Sequence, residues 1–167
     1  MLFRSSAFAV LIAATGNRRV TQNAKSPSAE TSMKVGGQEV TIEYNAPSAR
    51  GRKVEGGLVP YGEVWRLGAD SATTLTANTN LKIGDLSVPK GVYTLYIAAA
   101  EGNWKLVVNK QTGQWGTEYN QPQDLGRVPL KLAKLSQPVE TLKITLSGGM
   151  LEIEWGSTKA SVPVKQG

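Results

Sequence analysis

The stretch TLKITLSGGMLEIEW, residues 141–155, gives the clearest indication of the fold class. Every second side chain from Leu142 to Leu146, and again from Leu151 to Trp155, is apolar, and the side chains between them are polar. A period of two is typical of a β-strand with one buried face. The Gly148-Gly149 pair between the two runs is typical of a hairpin turn, because such turns need positive φ angles. The stretch therefore predicts two antiparallel strands joined by a tight turn.

The same alternation recurs along most of the chain after Ala29. Further runs with one apolar face are Val40–Tyr44, Tyr93–Ile97, Trp104–Val108, Val128–Leu132 and Ala160–Val164. Turn-forming residues separate neighbouring runs at Gly36-Gly37, Gly84-Asp85 and Glu101-Gly102-Asn103. We therefore predict an all-β fold, an antiparallel β-sandwich or jelly-roll-like barrel of about ten short strands, in a single domain over residues 28–165.

The N-terminus has the pattern of an export signal. Met1–Arg4 carries one positive charge, and Ala7–Thr15 is an uncharged and mostly apolar run. A basic start before a short apolar run is typical of a secretory signal peptide, and this run is too short to span a bilayer as a helix. We predict a signal peptide and polar leader over residues 1–24 and a periplasmic or extracellular location. Because the chain has no cysteine, we expect no lipoprotein anchor and no stable membrane anchor after cleavage.

The positive charge is concentrated near the N-terminus. The formal net charge is +6, but Arg4, Arg18, Arg19 and Lys25 carry four of the 19 basic charges, and no acid precedes Glu30. The rest of the chain therefore has 15 basic and 13 acidic side chains, a net charge of +2. These charges are interspersed along the sequence. A nucleic-acid partner would need a basic stripe or patch, so we expect none.

The absence of cysteine and histidine restricts the chemistry. It excludes a Ser–His–Asp triad, a thiolate nucleophile and a zinc site built from cysteine or histidine. The sequence also lacks a calcium loop of the DxDxDG type and a phosphate loop of the GxxxxGK[ST] type. We expect no metal, no cofactor and no assignable catalytic residue. Any chemistry must use carboxylates, arginines, hydroxyl groups or aromatic faces.

Two stretches alternate poorly and are rich in glycine, proline and aromatic residues: residues 46–70 and 109–124. Long connections in an all-β domain lie at the surface and often carry function. Arginine beside aromatic residues can grip a carboxylate, a phosphate or a sugar. In the alternative interpretation, Arg66 pairs with Glu63 or Asp70 and Trp65 fills the edge of the core. The ligand-binding candidates in the first stretch are Arg52, Tyr61, Glu63, Trp65, Arg66 and Asp70.

The second stretch contributes two further ligand-binding candidates, Trp115 and Tyr119. If both rings are exposed, they form a platform for the apolar face of a sugar. In the alternative interpretation, Trp115 caps an open end of the sandwich.

These residues occur in an order that resembles a known family. The matching segments are Ser26-Pro27-Ser28-Ala29, Val40–Tyr44, Gly51-Arg52-Lys53, VPYGEVWRLGAD at residues 59–70, Gly91–Leu95, Gln114-Trp115-Gly116, and Trp155 with Val162-Pro163-Val164. Together they resemble a bacterial exported family, domain of unknown function 2911. The resemblance covers nearly all of the chain after the signal segment. It implies an exported, mostly β bacterial domain whose activity is not assigned.

From these observations we expect a non-catalytic binding module for a carbohydrate or another polar ligand of the cell envelope. One alternative is a carboxylate-dependent hydrolase that uses Glu63 with Asp70, or Glu118 with Asp124, since glycosidases work with two carboxylates. The other is a structural or protein-interaction protein of the envelope. The ligand and the oligomeric state stay open at this point.

Overall fold

The computed structural model of the protein describes residues 26–115 and 118–167. The predicted signal peptide and leader, residues 1–24, lie outside these described residues. The strands, in chain order, are β1 (Ser28–Val35), β2 (Gln38–Asn45), β3 (Val64–Trp65), β4 (Thr74–Ala77), β5 (Leu81–Ile83), β6 (Leu86–Val88), β7 (Gly91–Ala100), β8 (Asn103–Asn109), β9 (Asp124–Pro129), β10 (Lys131–Ser147) and β11 (Met150–Gln166). A single 3-10 turn, Gln121–Gln123, is the one helical element in this part of the chain.

The strands form two antiparallel sheets. The first has the order β1-β2-β4-β7-β8-β9, with the short β3 paired to β7, and the second has the order β10-β11-β5-β6. The predicted turn residues Gly36-Gly37, Gly84-Asp85, Glu101-Gly102 and Gly148-Gly149 each join two paired strands. The prediction of an all-β, antiparallel, sandwich-like fold is therefore confirmed. Over the described ranges there is no helix with the length and apolar character that crossing a bilayer requires.

The long hairpin of β10 and β11 differs from the short strands that we predicted, because each of its strands has 17 residues. The run Val128–Leu132, read as one strand, is also divided: β9 ends at Pro129 in the first sheet, and β10 begins at Lys131 in the second. The alternation continues across this crossing because both strands bury side chains against the same core. A period of two therefore cannot show where the chain changes sheets.

The core lies between the two sheets and is made of alternate residues from both. Burial of these side chains supplies the main driving force for folding. Examples with at most 3% of their surface exposed are Val40, Ile42, Leu95, Ile97 and Leu106 in the first sheet, and Leu142, Ile144, Leu151, Ile153 and Trp155 in the second.

Side chains of the first sheet satisfy the backbone of β10, which is an edge strand. The hydroxyl of Tyr44 accepts a hydrogen bond from the backbone N–H of Ile144 at 3.0 Å, and the hydroxyl of Thr31 accepts one from the N–H of Leu146 at 2.9 Å. Backbone groups of residues 47–49 pair with the same edge of β10. Unpaired edge strands invite aggregation, and buried unpaired N–H groups are costly, so these contacts close the sandwich along this side.

We expect Tyr44→Phe to lower the free energy of unfolding by about 1–3 kcal/mol, because the N–H of Ile144 loses its acceptor in a buried position. The measurement is urea denaturation. Tyr61→Phe is the matched control, since Tyr61 is 38% exposed and its change should stay within about 0.5 kcal/mol. Equal effects of the two substitutions would show that the Tyr44 hydroxyl does not stabilise the edge.

Stability should also fall at alkaline pH, because burial disfavours the ionised form of Tyr44 in the folded state. Burial raises the pKa of Tyr44 above its ordinary value, and the hydrogen bond from Ile144 opposes that effect only in part. Because the folded pKa exceeds the unfolded one, near 10, stabilisation is complete below pH 10 and is lost as pH rises through the raised pKa. Urea unfolding between pH 8 and 11 should show a steeper loss of stability in the wild type than in Tyr44→Phe. Parallel curves would contradict this.

Candidate functional site

A cavity of about 290 Å³ lies beside the connection between β2 and β4 and concentrates basic side chains. We call it the arginine cavity. Its lining includes three arginines, Arg50, Arg52 and Arg66, and a single acidic residue, Asp70. Four of the predicted site residues line it: Arg52, Trp65, Arg66 and Asp70.

Two stacked tryptophans form an apolar wall of the arginine cavity. Trp65 in β3 and Trp155 in β11 have ring centroids 5.6 Å apart, with 17° between the ring planes. Both rings are buried, and the indole N–H of Trp155 donates to the carbonyl of Glu140 at 2.9 Å. Because β3 belongs to the first sheet and β11 to the second, the pair connects the two sheets. Trp65 therefore fills the core edge, as the alternative interpretation proposed, and also borders the cavity.

Arg66 is held between two buried residues. Trp65 precedes it, and Leu67, which is fully buried, follows it. Ion pairs within the described ranges are Arg127–Asp124 and Lys159–Glu152, so Arg66 pairs with neither Glu63 nor Asp70 there. No hydrogen bond joins its guanidinium to another described residue either. Arg66 is thus a partly buried residue of the cavity lining whose guanidinium donors have no partner among the described residues.

The backbone of this connection is strained. Three non-glycine residues in the described part of the chain have positive φ, and all lie here: Arg50 at 52°, Leu67 at 35° and Asp70 at 58°. Such conformations cost energy for residues with a Cβ, and they cluster at functional sites. The surroundings hold them in place, because the Thr73 hydroxyl donates to the Leu67 carbonyl at 2.6 Å, and the N–H of Ala69 donates to the Asn45 carbonyl.

The other two arginines are fixed by backbone contacts. The guanidinium of Arg52 donates to the carbonyls of Ala49 and Ser48, each at 2.9 Å. The backbone N–H of Arg50 donates to a carboxylate oxygen of Glu140 at 2.8 Å. Carbonyl acceptors are neutral, so Arg52 is positioned while its positive charge is not cancelled. Asp70 is engaged at the rim, where it accepts the backbone N–H of Ser26 at 3.0 Å.

Tyr61 and Glu63 line other depressions. Tyr61 borders one of about 370 Å³ together with Glu55 and Trp104. Glu63 lies in a groove with Lys105 and Arg127.

In the second irregular stretch, the described residues 110–115 and 118–120 lie on the side of the first sheet that carries Tyr96, away from the main core. They cover Tyr96, whose hydroxyl donates to the carbonyl of Glu118 at 2.8 Å. Tyr119 contacts Tyr96 edge-on, with ring centroids 4.8 Å apart. Trp115 is 37% exposed and forms a backbone bridge with Ser71, so the second irregular stretch contacts the residue that directly follows the first.

Tyr119 is anchored by its hydroxyl, which donates to Asp124 at 2.6 Å and accepts from Arg127 at 2.9 Å. Burial raises the pKa of Tyr119, and the hydrogen bond to Asp124 raises it further.

The hydrogen bond between Tyr119 and Asp124 also bears on the hydrolase alternative, because Asp124 is held by Tyr119 and by the side-chain amide of Asn109. Glu63 and Asp70, the other acidic pair, line different depressions. Over the described ranges, no group of three or more acidic side chains is placed to hold a metal ion.

Sequence reasoning did not include Arg50, Glu55 or Trp155 among the site candidates. The alternation around Trp155 indicated burial, but its partner Trp65 lies 90 positions earlier and no local pattern connects them. No sequence pattern separates Arg50 from the neighbouring basic residues, and only its place in the cavity distinguishes it.

We expect Arg66→Ala to leave the free energy of unfolding unchanged within about 0.5 kcal/mol, or to raise it slightly, because a partly buried charge without a partner does not stabilise the fold. Arg52→Ala is the matched control and should cost about 1 kcal/mol, since it removes two hydrogen bonds. Urea denaturation of both variants measures this. A loss above about 2 kcal/mol in Arg66→Ala would assign Arg66 a structural role.

Comparison with known proteins gives one result. The model of the family described as "Protein of unknown function (DUF2911)" matches residues 26–164. No curated protein and no solved structure matches the chain significantly. The matched range includes β1, nearly all of β11 and every residue of the arginine cavity. The chain therefore belongs to the DUF2911 family.

Proposed function

We propose that the chain is an exported, non-catalytic binding module whose arginine cavity holds the anionic group of a polar ligand of the cell envelope. The observation that carries this proposal is Arg66, a partly buried residue that lines a cavity with two further arginines and whose guanidinium has no ion-pair or hydrogen-bond partner among the described residues. A charge in that position loses hydration, and an anionic ligand would compensate for it.

The chemistry of the lining supports an anion. Three arginines and one aspartate line the cavity, a net charge of +2, so the lining favours negative charge. Guanidinium groups bind carboxylates and phosphates through two parallel hydrogen bonds. The volume of about 290 Å³ is at the lower end of the range for small-molecule sites, roughly 300–1,000 Å³, and suits one acidic group with the ring that carries it.

The proposal of binding without catalysis is supported by the positions of the acids. General acid–base chemistry needs two groups that converge on one reacting bond. Asp70 is instead hydrogen-bonded to the Ser26 N–H, and Glu63 lies in a different groove.

The proposal that the protein is exported rests on the sequence of residues 1–24 alone. Recovery of the protein only from the cytoplasmic fraction would contradict it.

Isothermal titration calorimetry with D-glucuronate, inorganic phosphate and D-glucose tests the proposed function. We expect at least one of the two anions to bind and neutral glucose not to bind, with an affinity that falls as salt rises. Arg66→Ala should weaken anion binding at least tenfold. Arg66→Lys should recover only part of it, because an ammonium group lacks the planar fork.

Lys143→Ala is the control for general electrostatics, because Lys143 is an exposed cation on β10 and its removal changes the net charge equally. We expect its affinity to equal that of the wild type. Equal binding of glucose and glucuronate, or equal losses in Arg66→Ala and Lys143→Ala, would contradict the proposed site.

A further inference from the structure

We infer that the ligand of the arginine cavity is an oligosaccharide that places an acidic residue among the arginines and continues as neutral sugars to Tyr61. This inference rests on the proposed function and extends it from one anionic group to an extended chain.

The arginine cavity is the first of three adjacent depressions that share walls. Arg52 lines the arginine cavity and also a middle depression of about 390 Å³. Glu55 and Ser157 line this middle depression and also the depression of Tyr61, about 370 Å³. Shared side chains therefore connect the arginines to Tyr61 along one surface, which would accommodate a ligand longer than a single ring.

The Tyr61 depression has the composition expected for a sugar ring. Tyr61 is one of three large apolar side chains exposed in the described part of the chain, and Trp104 and Leu132 add apolar surface beside it. A Cβ on Gly56, at φ 78°, would lie 3.0 Å from the Tyr61 ring, so the glycine allows the ring to pack closely against this turn. An aromatic face with a few placed polar groups is typical of small-molecule sites.

The net charge of the lining falls to zero beyond the arginine cavity, because Glu55 and Glu140 match Arg52 and Lys53 in the middle depression, and Glu55 matches Lys134 beside Tyr61. Glu55 holds the hairpin strand β11, because one of its carboxylate oxygens accepts the N–H of Ser157 at 2.8 Å and the hydroxyl of Thr158 at 2.7 Å. The carboxylate therefore stays fixed between the middle depression and Tyr61. It would repel a second acidic sugar there, whereas the hydroxyl groups of a neutral sugar can donate to it. The ligand should carry its acid at the arginine end and neutral rings beyond.

A peptide fits this surface less well. Extended peptides bind by adding a strand to an open sheet edge. The adjacent part of β10 contains Pro138, and its pairing with β11 shifts register between Lys134 and Val139 and again between Val139 and Lys143. A proline and an irregular ladder disfavour strand addition at that place.

Calorimetry with matched acids and trisaccharides tests the inference. One pair is D-glucuronate and glucuronosyl-xylobiose, and the other is N-acetylneuraminate and sialyllactose. In at least one pair we expect the trisaccharide to bind ten times more tightly than its acid alone. Tyr61→Ala should abolish this gain and leave binding of the free acid unchanged, and Tyr61→Phe, which retains the ring, should keep most of the gain. The all-acidic trigalacturonate should bind more weakly than the better trisaccharide, and Glu55→Gln should improve its binding.

The outcomes separate the two proposals. If both trisaccharides bind no better than their acids, or if Tyr61→Ala weakens acid and trisaccharide equally, the extended ligand is overturned while the anion site stands. If neither acids nor trisaccharides respond to Arg66→Ala, the proposed function itself fails. Tighter binding of the acidic peptide Asp-Gly-Ser-Gly-Ser-Gly than of either trisaccharide would overturn the carbohydrate class.

Discussion

The stack of Trp65 on Trp155 is the contact on which the arrangement of this end of the molecule depends. It joins β3 of the first sheet to β11 of the second, and its two indole rings are the largest side chains at this edge of the core. Because Trp65 is fixed from both sides, the next residue, Arg66, leaves the sheet at a defined point. The same contact between the two indole rings therefore fixes the apolar wall of the arginine cavity and the point at which the strained turn begins.

The strained turn combines features that folding alone would not favour. Leu67 is fully buried with a positive φ, and the neighbouring Arg66 has no described partner for its charge. Contacts from Asn45 and Thr73, at the ends of the flanking strands, hold the turn in this conformation. The stability of the sandwich thus compensates for the energetic cost of the strained turn. A stable β scaffold that holds a strained loop is typical of binding sites.

The sequence was sufficient to predict the strands and hairpin turns, because each depends on neighbours within a few positions. Alternation around Gly148-Gly149 is one example. The grouping of the site residues depends instead on contacts across the fold: Arg52 and Arg66 share a cavity, while Tyr61, only five positions from Arg66, lines a different depression. The sequence predicts a platform of Trp115 and Tyr119 only if both rings are exposed; Tyr119 instead packs against Tyr96 and bonds to Asp124 through its hydroxyl, while Trp115 bridges to Ser71. No local pattern encodes these distances.

The hydrogen bond from Ser26 to Asp70 has a consequence for how the domain can be tethered. The described chain enters the fold at the rim of the arginine cavity, so anything joined ahead of residue 26 emerges beside the arginines. The other end of the chain leaves beside Gly36, where an added Cβ would meet the side chain of Gln166, so it lies at the end of the eight-residue strand β1 that is opposite to Ser26. Attachment through the N-terminus would turn the cavity toward its support, whereas attachment through the C-terminus would present it to the surrounding medium.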